Sequence, residues 1–483
     1  MVFSSLEFIF VFLASVLVTY YLFPPKARNI VLLVFSLVFY GWGEPLYVFL
    51  MIFTITVDYV CGFIIGRSLD KANITDREQK RPTSAKVTLV LSIVINLAIL
   101  GFFKYWDFFV GTINSIIPAF KLPTVELALP IGISFYTFQA LSYVIDVYRR
   151  DAKMQRNIAS FGTYVTLFPQ LIAGPIVRYT DVDDQLRSRD HSMALFASGV
   201  RTFVCGLAKK VLLANSAGAL WKALSGATGD ANLGVAGAAS ATALGSWMVV
   251  IFYTFQIYFD FSGYSDMAIG LGKMFGFSFR ENFYYPYVSS SVTEFWRRWH
   301  ISLSTWFREY VYIPLGGNRV STPRIYFNLL AVWALTGLWH GASWNFVLWG
   351  LYYFVLLVFE KAIFGKVLAK APKFVGHVYT LVAVVFGWLL FASDGLGTIG
   401  TYLSNMFTAP FSNGVVLWDL VRNIPFLVIL CVASTPLPKK LYYKLREKAA
   451  FRCAAPVLTV LALALCTAYL VDSSYNPFLY FRF

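Results

Sequence analysis

Apolar runs of roughly 20 residues recur from one end of this chain to the other, separated by short segments that carry most of its charge. Runs of that length suit α-helices crossing a bilayer core. The pattern predicts spans near residues 6–23, 29–42, 46–66, 87–105, 128–148, 194–215, 243–262, 325–343, 344–363, 375–392, 421–437 and 455–471. The expected fold class is an all-α polytopic membrane protein of about 12 spans. The first run lacks a basic leader and a small-residue cleavage site, so it reads as a permanent span rather than a signal peptide.

Three stretches depart from the pattern. Residues 158–177 are apolar but contain Phe168-Pro169-Gln170 and Gly174-Pro175. A re-entrant loop is expected there, because irregular backbone is tolerated at membrane depth only where protein buries it. Residues 260–324 are too polar to span and too aromatic for an ordinary loop. Trp296, Trp299, Trp306 and Phe307 alternate with Arg297, Arg298, Arg308 and Glu309, which predicts an interfacial amphipathic helix against lipid headgroups. Residues 222–244, rich in Gly and Ala, are expected to form a flexible outer loop.

Composition agrees with a membrane protein: 58% of residues are hydrophobic, 18% aromatic and 13% charged, which excludes an ordinary soluble domain. A net charge of +15 would suit a nucleic-acid binder, but the basic residues fall in short loops between apolar runs. That is the positive-inside pattern, and no nucleic-acid partner is expected. Counted through the predicted spans, the loops holding Arg67 to Lys86, Arg149 to Arg156, Lys361 to Lys373 and Lys439 to Arg452 all fall on the cytoplasmic side. Both termini are then extracytoplasmic. The five cysteines are scattered without metal-like spacing, so neither a disulfide framework nor a metal site is expected.

Against this apolar background, His340 in Leu338-Trp339-His340-Gly341-Ala342-Ser343-Trp344 stands out. An imidazole at membrane depth is costly unless it meets a partner, a cavity or a reaction, and histidine suits proton transfer near neutral pH. The bland alternative is a core histidine bonded to a carbonyl. From Arg324, sixteen helical residues rise about 24 Å, which puts His340 toward the outer side. His300, in Trp296-Arg297-Arg298-Trp299-His300, begins nearer the inner side. Arg297, Arg298, Arg308, Arg319 and Lys273 form a candidate cationic group for phosphate or pyrophosphate oxygens, with headgroup anchoring as the alternative. Asp260 and Asp266, expected at the end of a span, suit either helix-terminal hydrogen bonding or orientation of a histidine. Asn345 is a further candidate for orienting His340 or its substrate. The aromatic tail, 474–483, suggests docking rather than fraying, and Tyr480 in it suits either packing or nucleophilic relay.

Trp296-Arg297-Arg298-Trp299-His300, Tyr312-Ile313-Pro314-Leu315-Gly316-Gly317-Asn318-Arg319 and Leu338-Trp339-His340-Gly341-Ala342-Ser343-Trp344 resemble motifs of the membrane-bound O-acyltransferases, specifically the bacterial alginate O-acetylation branch. Residues 168–175 and 260–266 resemble that branch too. The resemblance covers nearly the whole chain. It implies a single membrane domain over 1–483, with 260–343 as its catalytic core segment, built around a central funnel or tunnel. It implies acetyl transfer, with acetyl-CoA as donor, to an exported polysaccharide such as alginate. It also implies a bacterial inner-membrane location and a separate exported SGNH-type acetyltransferase partner. Within it, His340 corresponds to the principal catalytic histidine, His300 to a second important one, and Tyr480 to a proposed acyl relay. Peptidoglycan O-acetylation and teichoic acid D-alanylation are alternatives within the enzyme class. A polysaccharide transporter is the alternative outside it, though transporters often carry inverted repeats and none is evident here.

Overall fold

The computed structural model describes residues 1–117, 121–172, 174–227, 232–237 and 239–472. Helices and loops make up all of it; no strand occurs among the described residues. Eight helical stretches among them are long and apolar enough to cross a membrane, which makes this a multi-pass membrane protein. The run predicted at 6–23 is the shorter apolar helix Glu7–Leu22, and the run at 29–42 is the 16-residue helix Arg28–Gly43. The run at 325–343 is the helix Thr322–His340.

The chain divides into two compact units. One holds Met1–Phe203 with Met267–Arg280; the other holds Val204–Asp266 with Glu281–Phe483. In the first unit a carboxylate, Asp58, is fully buried in the helix Tyr47–Lys71. Ser92 Oγ donates to it at 2.6 Å, and Asn96 Nδ2 at 2.9 and 3.0 Å. Such pairing is what keeps an ionisable group tolerable inside an apolar bundle. The broken segment expected at 158–177 is here as well. The short helices Ile158–Thr166 and Phe168–Leu171 are interrupted at Leu167, and residues 160–172 are buried in protein.

Several expectations are corrected. The helix predicted from 128 starts at Ile133, because Gly132 takes a left-handed backbone (φ 76°) that ends regular structure before it. The span predicted to stop at 262 continues as one helix, Ala243–Met274. Asp260 and Asp266 are therefore interior helix positions, not a helix end. Average polarity misled the reading, because lysines from the preceding helical stretch neutralise both carboxylates.

The interfacial helix expected within 260–324 is absent as such. Two seven-residue helices, Val292–Arg298 and Ile301–Phe307, flank a break at Trp299 and His300. Trp296, Trp299, Trp306 and Phe307 are buried in the protein rather than presented to headgroups. The loop expected to be flexible is tied down at its described residues. Leu233 N–H donates to Ala392 O at 3.0 Å, Tyr402 Oη to Gly234 O at 2.6 Å, and Asn405 Nδ2 to Ser240 O at 2.8 Å.

The packing that positions the later chemistry lies in the second unit. Thr322–His340 and Trp344–Phe359 pack backbone to backbone at Gly337 and Gly350, whose missing side chains leave room for the approach. A β-carbon on Gly350 would meet Trp333 O and the Gly337 backbone. Small residues at such a crossing are the usual means of close helix association in a membrane.

Candidate active site

His340 is the last residue of its helix, and Gly341 turns the chain into an extended conformation (φ −176°). The imidazole is 2% exposed. It sits among aromatic rings, with centroids 4.9 Å from Trp349, 5.1 Å from Trp339 and 5.3 Å from Phe391, all near perpendicular. Gly341 is required beside it, since a β-carbon there would collide with the Phe346 ring.

Asn345 bonds to the turn after His340 and to a neighbouring helix end. Its Nδ2 donates to Ser393 O at 2.8 Å and Phe391 O at 3.4 Å, and its Oδ1 accepts from Ser343 Oγ. It thereby ties the turn after His340 to the end of the helix Lys373–Ala392, whose Phe391 packs on the imidazole.

His300 is 1% exposed and adopts a left-handed backbone, φ 44° and ψ 54°, between the two short helices. Non-glycine residues in that region cost about 1–3 kcal/mol and are held there by their surroundings. Its surroundings are specific. Asn282 O accepts from Ile301 N–H at 3.0 Å, and His300 Nδ1 lies 3.2 Å from Asn282 Oδ1. The edge of Phe261 meets the ring at 4.7 Å and 87°. Burial pushes the imidazolium down to about 3, so the ring is neutral at physiological pH.

Trp339 joins the two histidines: its ring is 5.9 Å from that of His300 and 5.1 Å from that of His340. A second aromatic route runs from His300 through Phe283, Trp299, Trp388 and Phe391 to His340. The two imidazoles thus share one aromatic cluster of the second unit.

Three supporting groups went unnoticed in the sequence. Glu360, 5% exposed, accepts from Val292 N at 2.5 Å, Thr293 N at 2.9 Å and Thr293 Oγ1 at 2.6 Å. A carboxylate on the leading N–H groups of Val292–Arg298 is favourable by both hydrogen bonding and helix dipole. Lys210 Nζ pairs with Asp260 at 2.6 Å with both side chains almost fully buried. Asn282 is the third. The charges within apolar runs were the available signal for the first two; Asn282 carried none.

Two of the cationic candidates are paired with carboxylates. Arg298 donates to Glu294 at 2.7 Å and Tyr284 O at 3.3 Å, and Arg308 pairs with Glu309 at 2.7 Å. Arg297 and Arg319 are exposed. Lys273 belongs to the other unit, where its Nζ lies 3.4 Å from Thr202 Oγ1. Asp266 pairs with Lys209 at 2.7 Å. Tyr480 and the tail at 474–483 lie outside the described residues.

The sequence model of the membrane-bound O-acyltransferase family matches residues 125–397, a stretch that includes both histidines. The chain is 43% identical to the probable alginate O-acetylase AlgI of Azotobacter vinelandii, over 84% of this chain and 78% of that protein. It is 37% identical to the protein of the same description from Pseudomonas putida, over the full length of both. It is 32% identical to the peptidoglycan O-acetyltransferase of Helicobacter pylori, over 88% of this chain and 82% of that protein.

Proposed function

The chain belongs to the membrane-bound O-acyltransferase family, and from that premise we propose that this acyltransferase passes acetyl groups from acetyl-CoA toward an exported polysaccharide of the alginate type. The observation that carries the reading is a pair of imidazoles bridged by one indole and buried away from bulk water. His340 acts as general base. It takes the proton of the acceptor hydroxyl as that oxygen attacks the thioester carbonyl. The carbon–sulfur bond breaks, the new ester bond forms, and the proton passes on to the departing thiolate of coenzyme A. His300 shares in holding the reacting groups.

The exposed Arg297 and Arg319 are the remaining candidates for the donor's phosphates, since among the described residues no bond to a carboxylate commits them as Glu294 commits Arg298 and Glu309 commits Arg308. An exported SGNH-type acetyltransferase then receives the group and esterifies the polymer.

Removing this chain from its host tests the reading. The exported polysaccharide should still be made but should lose its acetyl esters, and the wild-type chain should restore them. Loss of the polymer itself would favour a transporter. Loss of acetyl groups from peptidoglycan alone would move the acceptor to the one that the Helicobacter relative is named for.

On this reading the chain lies in the bacterial inner membrane, and the positive-inside pattern of its basic loops supports both termini outside the cytoplasm, with Tyr480 as a relay on the export side. A reporter fused after Phe483 should therefore read extracytoplasmic; a cytoplasmic signal would remove both the orientation and the relay.

A further inference from the structure

The environment of His300 fixes more than its position. Asn282 is 1% exposed, and its Oδ1 accepts from Ser302 N–H at 3.1 Å and Ser302 Oγ at 2.9 Å. A backbone N–H can only donate, so the amide atom that meets it must be the oxygen. That same oxygen lies 3.2 Å from His300 Nδ1. An acceptor facing Nδ1 requires the proton to sit on Nδ1, since two lone pairs at that distance would repel. Ser302 Oγ is 3.4 Å from Nδ1, but its proton is directed to Asn282 Oδ1 at 2.9 Å. A neutral imidazole carries one N–H, so Nε2 is left with its lone pair. Nε2 is buried and has no hydrogen-bond partner among the described residues.

We infer that Asn282 is a positioning residue for the acyl transfer: by locking His300 in the Nδ1–H tautomer, it presents Nε2 as a bare hydrogen-bond acceptor that holds a donor group of the substrate, or a water on the reaction path, while His340 takes the proton. This rests on the acyltransferase reading above and adds a residue to it. The chain of control is fixed by backbone atoms. Ser302 N–H orients the amide, the amide orients the ring, and Asn282 O holds Ile301 N–H at 3.0 Å so that the turn cannot swing away. Burial reinforces it, since a ring surrounded by Phe261 and Phe283 is held neutral and a neutral ring must choose one tautomer.

The full-length protein, labelled with ¹⁵N at its histidines and held in lipid nanodiscs, gives a readout independent of activity. The four histidines are few enough to assign His300 by its absence from a His300→Gln spectrum. In the parent protein His300 should show a protonated Nδ1 and a bare Nε2. Asn282→Leu should lose that preference and lower acetyl transfer roughly tenfold or more, with KM for acetyl-CoA little changed. Asn282→Asp keeps an acceptor in the same place, so tautomer and most activity should survive. Its charge stabilises the imidazolium and raises the His300 pKa, so the acidic limb of the rate profile should move to higher pH.

A bare Nδ1 in the parent, an unchanged tautomer in Asn282→Leu, or unchanged transfer despite a switched tautomer each overturns the proposal. If Asn282→Leu does not fold, Asn282→Asp decides alone: an unmoved pH profile overturns it. Absence of acetyl esters on every exported polymer of a host that carries the parent chain and its exported partner would instead sink the acetyl-transfer reading, while the tautomer measurement stands by itself.

Discussion

Replacing His340 with alanine should lower acetyl transfer by roughly 100-fold or more while leaving the amount of protein in the membrane unchanged. The imidazole is buried at a helix end against Trp339, Trp349 and Phe391. The aromatic rings define its position but provide no basic group to take over proton transfer. Alanine also leaves a void, so His340→Gln is the companion variant: it fills much of the space and offers polar atoms but takes up no proton near neutral pH. Both variants should be equally inactive in a membrane assay with labelled acetyl-CoA. Retained transfer by His340→Gln would mean that the site needs a hydrogen bond rather than a base, and the general-base role would pass to His300.

The helical character and most of the apolar runs were legible because hydrophobic length is written locally. His340 and His300 were legible for a related reason: a titratable ring in apolar surroundings contradicts its own neighbourhood. What was not legible depends on partners distant in sequence. Asp260 and Asp266 read as a helix end because their polarity was averaged along the chain, whereas Lys210 and Lys209 neutralise them from another helix. The aromatic and arginine alternation around Trp296 read as a surface helix. The break at His300 instead turns its indoles inward, and Glu360, more than 60 residues later, caps the first short helix. The Gly- and Ala-rich loop read as mobile because its anchors, Ala392, Tyr402 and Asn405, come about 160 residues later. Asn282 had no local signature, because a tautomer lock exists only once Ser302 and His300 fold back on it.

The same long-range logic gives the largest expected effect on stability. Lys210 and Asp260 are 3% and 1% exposed and 2.6 Å apart, and both lie in the second unit. Removing one partner of such a pair strands a buried charge and typically costs about 3–5 kcal/mol. Lys210→Met should therefore lower the thermal midpoint in detergent sharply, and acetyl transfer should fall with it. Removing both charges, in Lys210→Met with Asp260→Asn, should restore most of the stability, since a neutral amide replaces the stranded carboxylate.

The double variant also separates the two roles open to Asp260. Its neighbour Phe261 packs edge-on against His300, so Asp260 reaches the site through the placement of this helix. On that account activity returns together with stability. If the double variant is as stable as the parent yet transfers no acetyl, the Asp260 carboxylate itself contacts the donor or the acceptor, and its pairing with Lys210 is the resting arrangement of a working group.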